Sequence, residues 1–344
     1  MFSSSKVRSI SKAIPDKILA CGTPWAQQPF NSANSLAELG PWTLENTVGA
    51  FPLTSMVYSA MTKNRVYFSG SWLGNHAVVY LGIDASGNII PTLQTGNPAT
   101  ESFIPSPWPN FFGGGVFVTP SQVVAIHGTM SGSDAIWTNP INASGVLTGA
   151  VSNGNTGLAY YGDFGLGCVK DKFAYLFGGW NQYTGTWSTG VYRSPISVGG
   201  SLGAWSLVGN LPIATRMMQV VTTPTRVYLM GGIQVSGGSP NTVTSVSAPY
   251  DASGNLGSWT AGPSLPNVNC GLIALTKTRA YFADGAFYYN ATIDASGVMS
   301  NLVKGSAQTI GGYTVVTSSK IYQVSIGDGK IYSCPFSGGA NSYR

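Results

Sequence analysis

Short apolar runs rich in Val, Ile, Tyr and Phe recur along the whole chain, separated by clusters of Gly, Ser, Asn, Asp and Pro. Such runs, stopped by turn-forming residues, predict β-strands. Residues 217–260 show the pattern most fully. Met217 to Thr223 reads as a first strand, and Pro224, Thr225 and Arg226 as a tight turn. Val227 to Met230 reads as an apolar second strand halted by Gly231 and Gly232. A Gly/Ser/Pro/Asn loop leads to a third strand near Thr244 to Tyr250. The next turn is Asp251-Ala252-Ser253-Gly254, and a fourth strand carries Trp259. In that turn the Asp carboxylate can accept a backbone N–H, and the Gly adopts positive φ without strain.

The unit repeats. A basic or polar residue, an apolar run and a Gly occur seven times, starting at Lys17, Arg65, Gln122, Lys172, Arg226, Arg279 and Lys320. Their spacing is about fifty residues, the period of a four-stranded propeller blade. The third-to-fourth turn recurs as Asp84–Gly87, Asn142–Gly145, Asp251–Gly254 and Asp294–Gly297. Looser copies begin at Asn31, Ser197 and Ser337. One such unit is too small to bury its own sheet face, so the units must stack on one another. The expected fold is all-β: a seven-bladed β-propeller of four-stranded antiparallel blades, forming one domain over residues 1–344. The expected blades span approximately 7–43, 56–94, 115–149, 165–208, 217–260, 270–304 and 312–344. Each blade can be filled from consecutive residues, so ring closure by exchange of a terminal strand is not required, although the weak stretch Val7 to Ile14 leaves it open.

Composition narrows the reading. Charged residues make up 8% of the chain against 43% hydrophobic, with 45 Gly and 12% aromatic, which suits stacked sheets and excludes a disordered chain. Many cations, including Lys63, Arg65, Lys172, Arg226, Arg279 and Lys320, flank the first-to-second-strand turns. In an up-and-down blade those turns share a rim with the Asp-Ala-Ser-Gly turns. Interleaved Asp84, Asp251 and Asp294 would break any phosphate track, so nucleic acid is not expected as a partner. Cys21, Cys168, Cys270 and Cys334 show no CxxC spacing and read as buried thiols; a Cys21–Cys334 bridge is the alternative. The first residues form no apolar signal core, and no run reaches transmembrane length, so neither secretion by a signal peptide nor membrane insertion is expected.

Catalytic chemistry is thinly represented. His76 and His127 lack a clear third ligand, so no metal or other cofactor is expected. A glycosidase needs two carboxylates roughly 5 to 10 Å apart. The carboxylates expected on the long-loop rim, Glu45, Glu101, Asp134, Asp163 and Asp284, are scattered. The same rim gathers aromatics read as lying outside strands: Trp72, Trp108, Phe111, Phe112, Tyr160, Tyr161, Trp180, Tyr183 and Trp187. Neighbouring Asn and Gln residues supply amides. Such a surface suits a protein partner or sugar rings, or else folds down over the blade core. The outer-strand Trp42, Trp205 and Trp259 are expected to cap the cores between blades.

The Gly178-Gly179 and Gly231-Gly232 pairs, Tyr192 and Tyr250, and the spaced Trp205 and Trp259 resemble kelch-type β-propeller repeats. That resemblance implies the propeller fold. Low charge, Gly/Ser/Thr/Asn richness and repeated Asp-Ala-Ser-Gly hairpins look like bacteriophage virion proteins of the tail or receptor-binding type. This second resemblance implies a non-enzymatic binding or structural module in the virion, external after release. Its partners would be other virion proteins or a host receptor, protein or glycan. The alternative is a carbohydrate-active enzyme or a lectin using the same rim.

Overall fold

The computed structural model describes residues 38–337 except 40–41, 50, 52, 54, 73–74, 99, 103–110, 120, 130–133, 155–157, 159–164, 171, 182–184, 217, 235–242, 269, 276–277, 285, 308–312, 318–319 and 326. All the regular elements among the described residues are strands. Five consecutive antiparallel sheets of four strands cover residues 55–95, 111–152, 165–210, 219–261 and 271–307, here blades A to E. Blade F takes three strands from Tyr313–Val316, Lys320–Val324 and Lys330–Ser337. Its outer strand comes from the other end of the chain: Thr43–Thr47 pairs with Lys330–Ser337, Thr43 opposite Ser333 and Thr47 opposite Lys330. Glu38–Leu39 extends the same edge.

The ring therefore has six blades rather than seven, and a terminal strand does close it. The expected first blade over 7–43 falls largely outside the described residues, and its Trp42 end belongs to blade F. The apolar cores count the seams independently. Tyr67 and Val78 of blade A pack with Val116 and Val123 of B, and Val124 and Ile126 of B with Ala174 and Leu176 of C. Tyr175 and Phe177 meet Val220 and Leu229 of D, and Tyr228 and Met230 meet Phe282 of E. Tyr281 and Tyr288 of E meet Val316 and Ile321 of F. The sixth core joins Tyr322 and Val324 of F to Phe68 and Val79 of A, which leaves no seam for a seventh blade. Each fully buried aromatic or aliphatic side chain contributes about 1.5–3 kcal/mol, so no blade is stable without its neighbours.

The recurrent turns have the expected geometry. In the three Asp copies the carboxylate accepts two backbone N–H groups, for Asp251 those of Ser253 and Asn255 at 2.8 and 2.7 Å. The closing Gly87, Gly145, Gly200, Gly254 and Gly297 all have positive φ. The structure adds a role that local turn chemistry does not reveal: these turns tie one blade to the next. The Tyr228 hydroxyl in blade D donates to Gly297 O of blade E at 3.1 Å and accepts the Met299 N–H at 2.7 Å. Tyr175 of blade C likewise bonds Gly254 O of D, and Tyr67 of A accepts the Leu147 N–H of B. Across the closing seam, Tyr322 of F accepts the Ile89 N–H of A. First-to-second-turn hydroxyls reinforce the link, as Thr62 does on Gly145 O at 2.6 Å and Thr223 on Gly297 O at 2.9 Å. The plain rim is thus a chain of blade-to-blade locks. The outer-strand Trp residues do pack at the seams: Trp259 against the C–D core, Trp205 against B–C and Trp42 against E–F.

Candidate functional site

The opposite rim, built from second-to-third-strand connections and blade crossovers, carries a compact aromatic–cationic cluster between blades C and D. Its placement begins with the two Gly pairs. Gly178 has φ +61°, and a Cβ there would lie 2.3 Å from Thr215 O. Gly232 has φ +85°, and a Cβ there would lie 2.6 Å from Arg216 O. The paired glycines of blades C and D therefore hold residues 215–216 between them, a close approach any side chain would prevent. The Gly179 N–H donates to Thr215 O at 2.9 Å and fixes the depth of that segment.

Two short ribbons present the side chains. Trp180–Asn181 pairs with Thr186–Trp187, placing Trp180 opposite Trp187. Thr215–Arg216 pairs with Ile233–Gln234. The two indole centroids are 6.3 Å apart and the rings are tilted by 42°. The Arg216 guanidinium carbon lies 4.1 Å from the Trp180 centroid and 5.2 Å from that of Trp187. Cation–π contacts at these distances contribute about 0.5–1 kcal/mol at an exposed site and more where desolvated. All three side chains are half-buried, so each keeps part of its surface reachable from solvent. A guanidinium stays protonated at any accessible pH, so its charge is permanent.

The structure treats the expected site residues unevenly. Trp180 and Trp187 are brought together, and they lie in a ribbon rather than in irregular loop. Trp72 ends the strand Arg65–Trp72, and Phe111 and Phe112 open Phe111–Val118, so these three also occupy strand positions. Trp108, Tyr160, Tyr161 and Tyr183 lie outside the described residues. Arg216 went unrecognised in the sequence: it belongs to no repeat, and its only signal is a cation just after the Leu211-Pro212 crossover.

Three carboxylates of the rim inventory, Glu45, Glu101 and Asp284, are engaged structurally. Glu45 accepts from Lys320 Nζ at 2.7 Å and from the Ser333 hydroxyl, on the outer strand of blade F rather than on a loop. The Lys320 bond, with that of Ser333, holds its carboxyl below the ordinary value. Glu101 pairs with Arg65 at the seam of blades A and B and accepts the Asn97 N–H. Asp284 organises its own loop, accepting from the Ala286 and Phe287 N–H groups, Asn267 Nδ2 and the Tyr289 hydroxyl at 2.7–2.8 Å. Burial alone would raise the Asp284 carboxyl, but these four bonds outweigh it and hold the carboxyl below the ordinary range. Burial, and then the bond to Asp284, push the Tyr289 phenol up to about 12. Asp134 is placed at the start of a strand, whereas Asp163 lies outside the described residues. Among the described residues no group of three or more His, Cys, Asp or Glu could hold a metal ion, and Cys270 and Cys334 are buried in the blade cores.

A six-bladed β-propeller with one rim of inter-blade locks and one bearing a tryptophan–arginine cluster is the class these observations define. No protein-family model and no curated protein matches the chain. Among solved structures it is similar to that titled "Structure of YjhT", with a TM-score of 0.53 at 13% identity, covering 85% of this chain and 95% of that one. It also aligns with a subtype N11 neuraminidase-like protein of A/flat-faced bat/Peru/033/2010, with a TM-score of 0.47 at 11% identity, over 92% of this chain and 99% of that one. A subtype N10 neuraminidase-like protein of A/little yellow-shouldered bat/Guatemala/060/2010 aligns with a TM-score of 0.44 at 9% identity, over 88% and 100%. At these identities the likeness is one of fold alone, and it rests on the first of the three.

Proposed function

We propose that this chain is a non-enzymatic binding module whose elaborated rim engages a partner at Trp180, Trp187 and Arg216. The observation that supports this most is the cluster itself: two indoles and a guanidinium, half-buried on a rigid ring. Trp and Arg are the residue types that dominate binding energy at interfaces. The kelch-like Gly pairs support the same reading, since they hold the Arg216 segment in place. The engaged state of Glu45, Glu101 and Asp284 disfavours a carboxylate pair built from them.

The chain's low charge and its Gly/Ser/Thr/Asn-rich hairpins support a place in a bacteriophage virion, in the tail or as an adhesin, outside the cell after release. The partner would then be a host receptor or a neighbouring virion subunit. The test is binding of the labelled chain to host cells and to particles assembled without it. Trp180→Ala with Trp187→Ala should weaken that binding by tenfold or more, about 1.4 kcal/mol, with the fold intact. Unchanged binding would rule the cluster out as the site. Polysaccharide cleavage lost on Asp163→Asn or Asp284→Asn would favour a glycosidase instead.

A further inference from the structure

The third-to-fourth turns tie every seam but the one between blades E and F. Tyr67, Tyr175, Tyr228 and Tyr322 reach across four seams, and at B–C Gln122 Nε2 donates to Gly200 O at 3.0 Å. Blade F takes its outer strand from the N-terminal side of the chain, so it has no third-to-fourth turn for blade E to hold. Tyr281 stands in blade E at the strand position of the lock tyrosines, but it packs into a seam without that turn. In the turn's place Trp42 stacks on Tyr288, with ring centroids 5.9 Å apart and planes within 16°.

The E–F core also differs in kind. The fourth residue of the second strand is Phe68, Ala125, Leu176, Leu229 or Phe282 in blades A to E, each fully buried. In blade F it is Gln323, 1% exposed. Ile321 packs against blade E, whereas Tyr322 and Val324 pack against blade A, so alternation along the strand turns Gln323 towards blade E. Its Oε1 has no hydrogen-bond partner. The buried Tyr288 hydroxyl of blade E, which faces the same seam, has at best a weak contact with the Trp42 indole. Among the described residues, the other buried polar side-chain atoms without a partner belong to Asn64, Trp205, Arg216 and Arg226, all at turns or strand ends. Two orphaned polar atoms inside one seam penalise its closed state, because each recovers its hydrogen bonds only when water enters.

We propose that the ring opens at the seam between blades E and F while the other seams stay closed, so that this seam is a joint built into the propeller. Opening there unfolds no blade. The strands of F remain paired with one another, and the closing strand Thr43–Thr47 rides with them. The seam that bears Trp180 and Arg216 is locked by Tyr175, so the rim cluster keeps its geometry when the joint opens. The inference does not rest on the binding role proposed above.

Two cysteines serve as reporters. Cys334 pairs with Ile321 and so faces the E–F seam, close to the Tyr288 hydroxyl, and it is 0% exposed. Cys270 lies in the D–E core and is 1% exposed. The full chain, kept reduced and without denaturant, is labelled with excess iodoacetamide, and each site is followed by peptide mass spectrometry. Relative to its rate in the urea-denatured chain, Cys334 should label at least about tenfold faster than Cys270. Gln323→Met keeps the length of the side chain and removes the amide. It should slow labelling of Cys334 by about tenfold and leave Cys270 unchanged. Tyr288→Phe should act in the same direction, the reverse of losing a lock hydroxyl such as that of Tyr228. Unfolding curves show which variants are folded, and either one alone decides the matter. Equal protection of the two thiols in the wild type, or Cys334 labelling that is unchanged or faster in the folded variants, would overturn the proposal.

Discussion

Replacing Tyr228 by Phe isolates the lock between blades D and E. The ring is 1% exposed within the D–E core, and Phe keeps that packing. Only the hydroxyl is lost, and with it the bond to Gly297 O at 3.1 Å and that from Met299 N at 2.7 Å. The two losses are unequal. Gly297 O keeps the Thr223 hydroxyl at 2.9 Å, so its share falls at the low end of a typical net hydrogen bond, about 0.5 kcal/mol. Met299 is 5% exposed and its N–H is left without its acceptor, which costs about 1–3 kcal/mol. The sum is about 1.5–3.5 kcal/mol, read from urea unfolding as a lower midpoint at unchanged slope. Hydrogen exchange should quicken at the Met299 amide before it does elsewhere. Tyr322→Phe should act with the same sign at the closing seam, where Ile89 N loses its partner. A change below about 0.5 kcal/mol, with the Met299 amide still protected, would refute the lock as a source of stability.

Two further perturbations probe the rim site and the closing strand. Gly232→Ala places a Cβ 2.6 Å from Arg216 O at a φ of +85°, and should destabilise by about 2–3 kcal/mol while shifting tryptophan fluorescence as Arg216 moves; wild-type stability and emission would contradict the account of the Gly pairs. Glu45 sits below its ordinary value of 4.5 because Lys320 and Ser333 bond the carboxylate, so its contribution is present above that pH and lost as pH falls through the folded value. In thermal melts at low salt, Glu45→Gln should therefore be less stable than wild type at neutral pH and converge with it in acid, a gap kept small by solvent screening.

Much of the fold was legible because its signals are local. The Asp-Ala-Ser-Gly turns, the apolar second strands and the shared rim of the two short turns follow from residues next to one another in the chain. Blade number was not local. It depends on Thr43–Thr47 pairing with Lys330–Ser337, and an exposed strand reading TLENT resembles any outer strand. The Lys17–Gly22 copy suggested one blade too many. The inter-blade role of the second-strand tyrosines was hidden for the same reason: their partners lie about seventy to eighty residues away in blades A, C and D, as Leu147 does from Tyr67, and farther still across the closing seam. At the site, Trp180 and Trp187 stood out as aromatics among glycines, whereas Arg216 gains meaning only when two blades meet.

Ring closure by the N-terminal strand is open to direct measurement. Thr47 and Lys330 face each other across the closing pair, at a separation where cross-strand cysteines can bond. In a Thr47→Cys, Lys330→Cys variant, mild oxidation should join the two positions within one chain, found as a single linked peptide by mass spectrometry, and should raise the unfolding midpoint. A variant that oxidises only between chains, or in which the two cysteines stay unlinked under conditions that oxidise exposed thiols, would contradict a six-bladed ring closed at blade F.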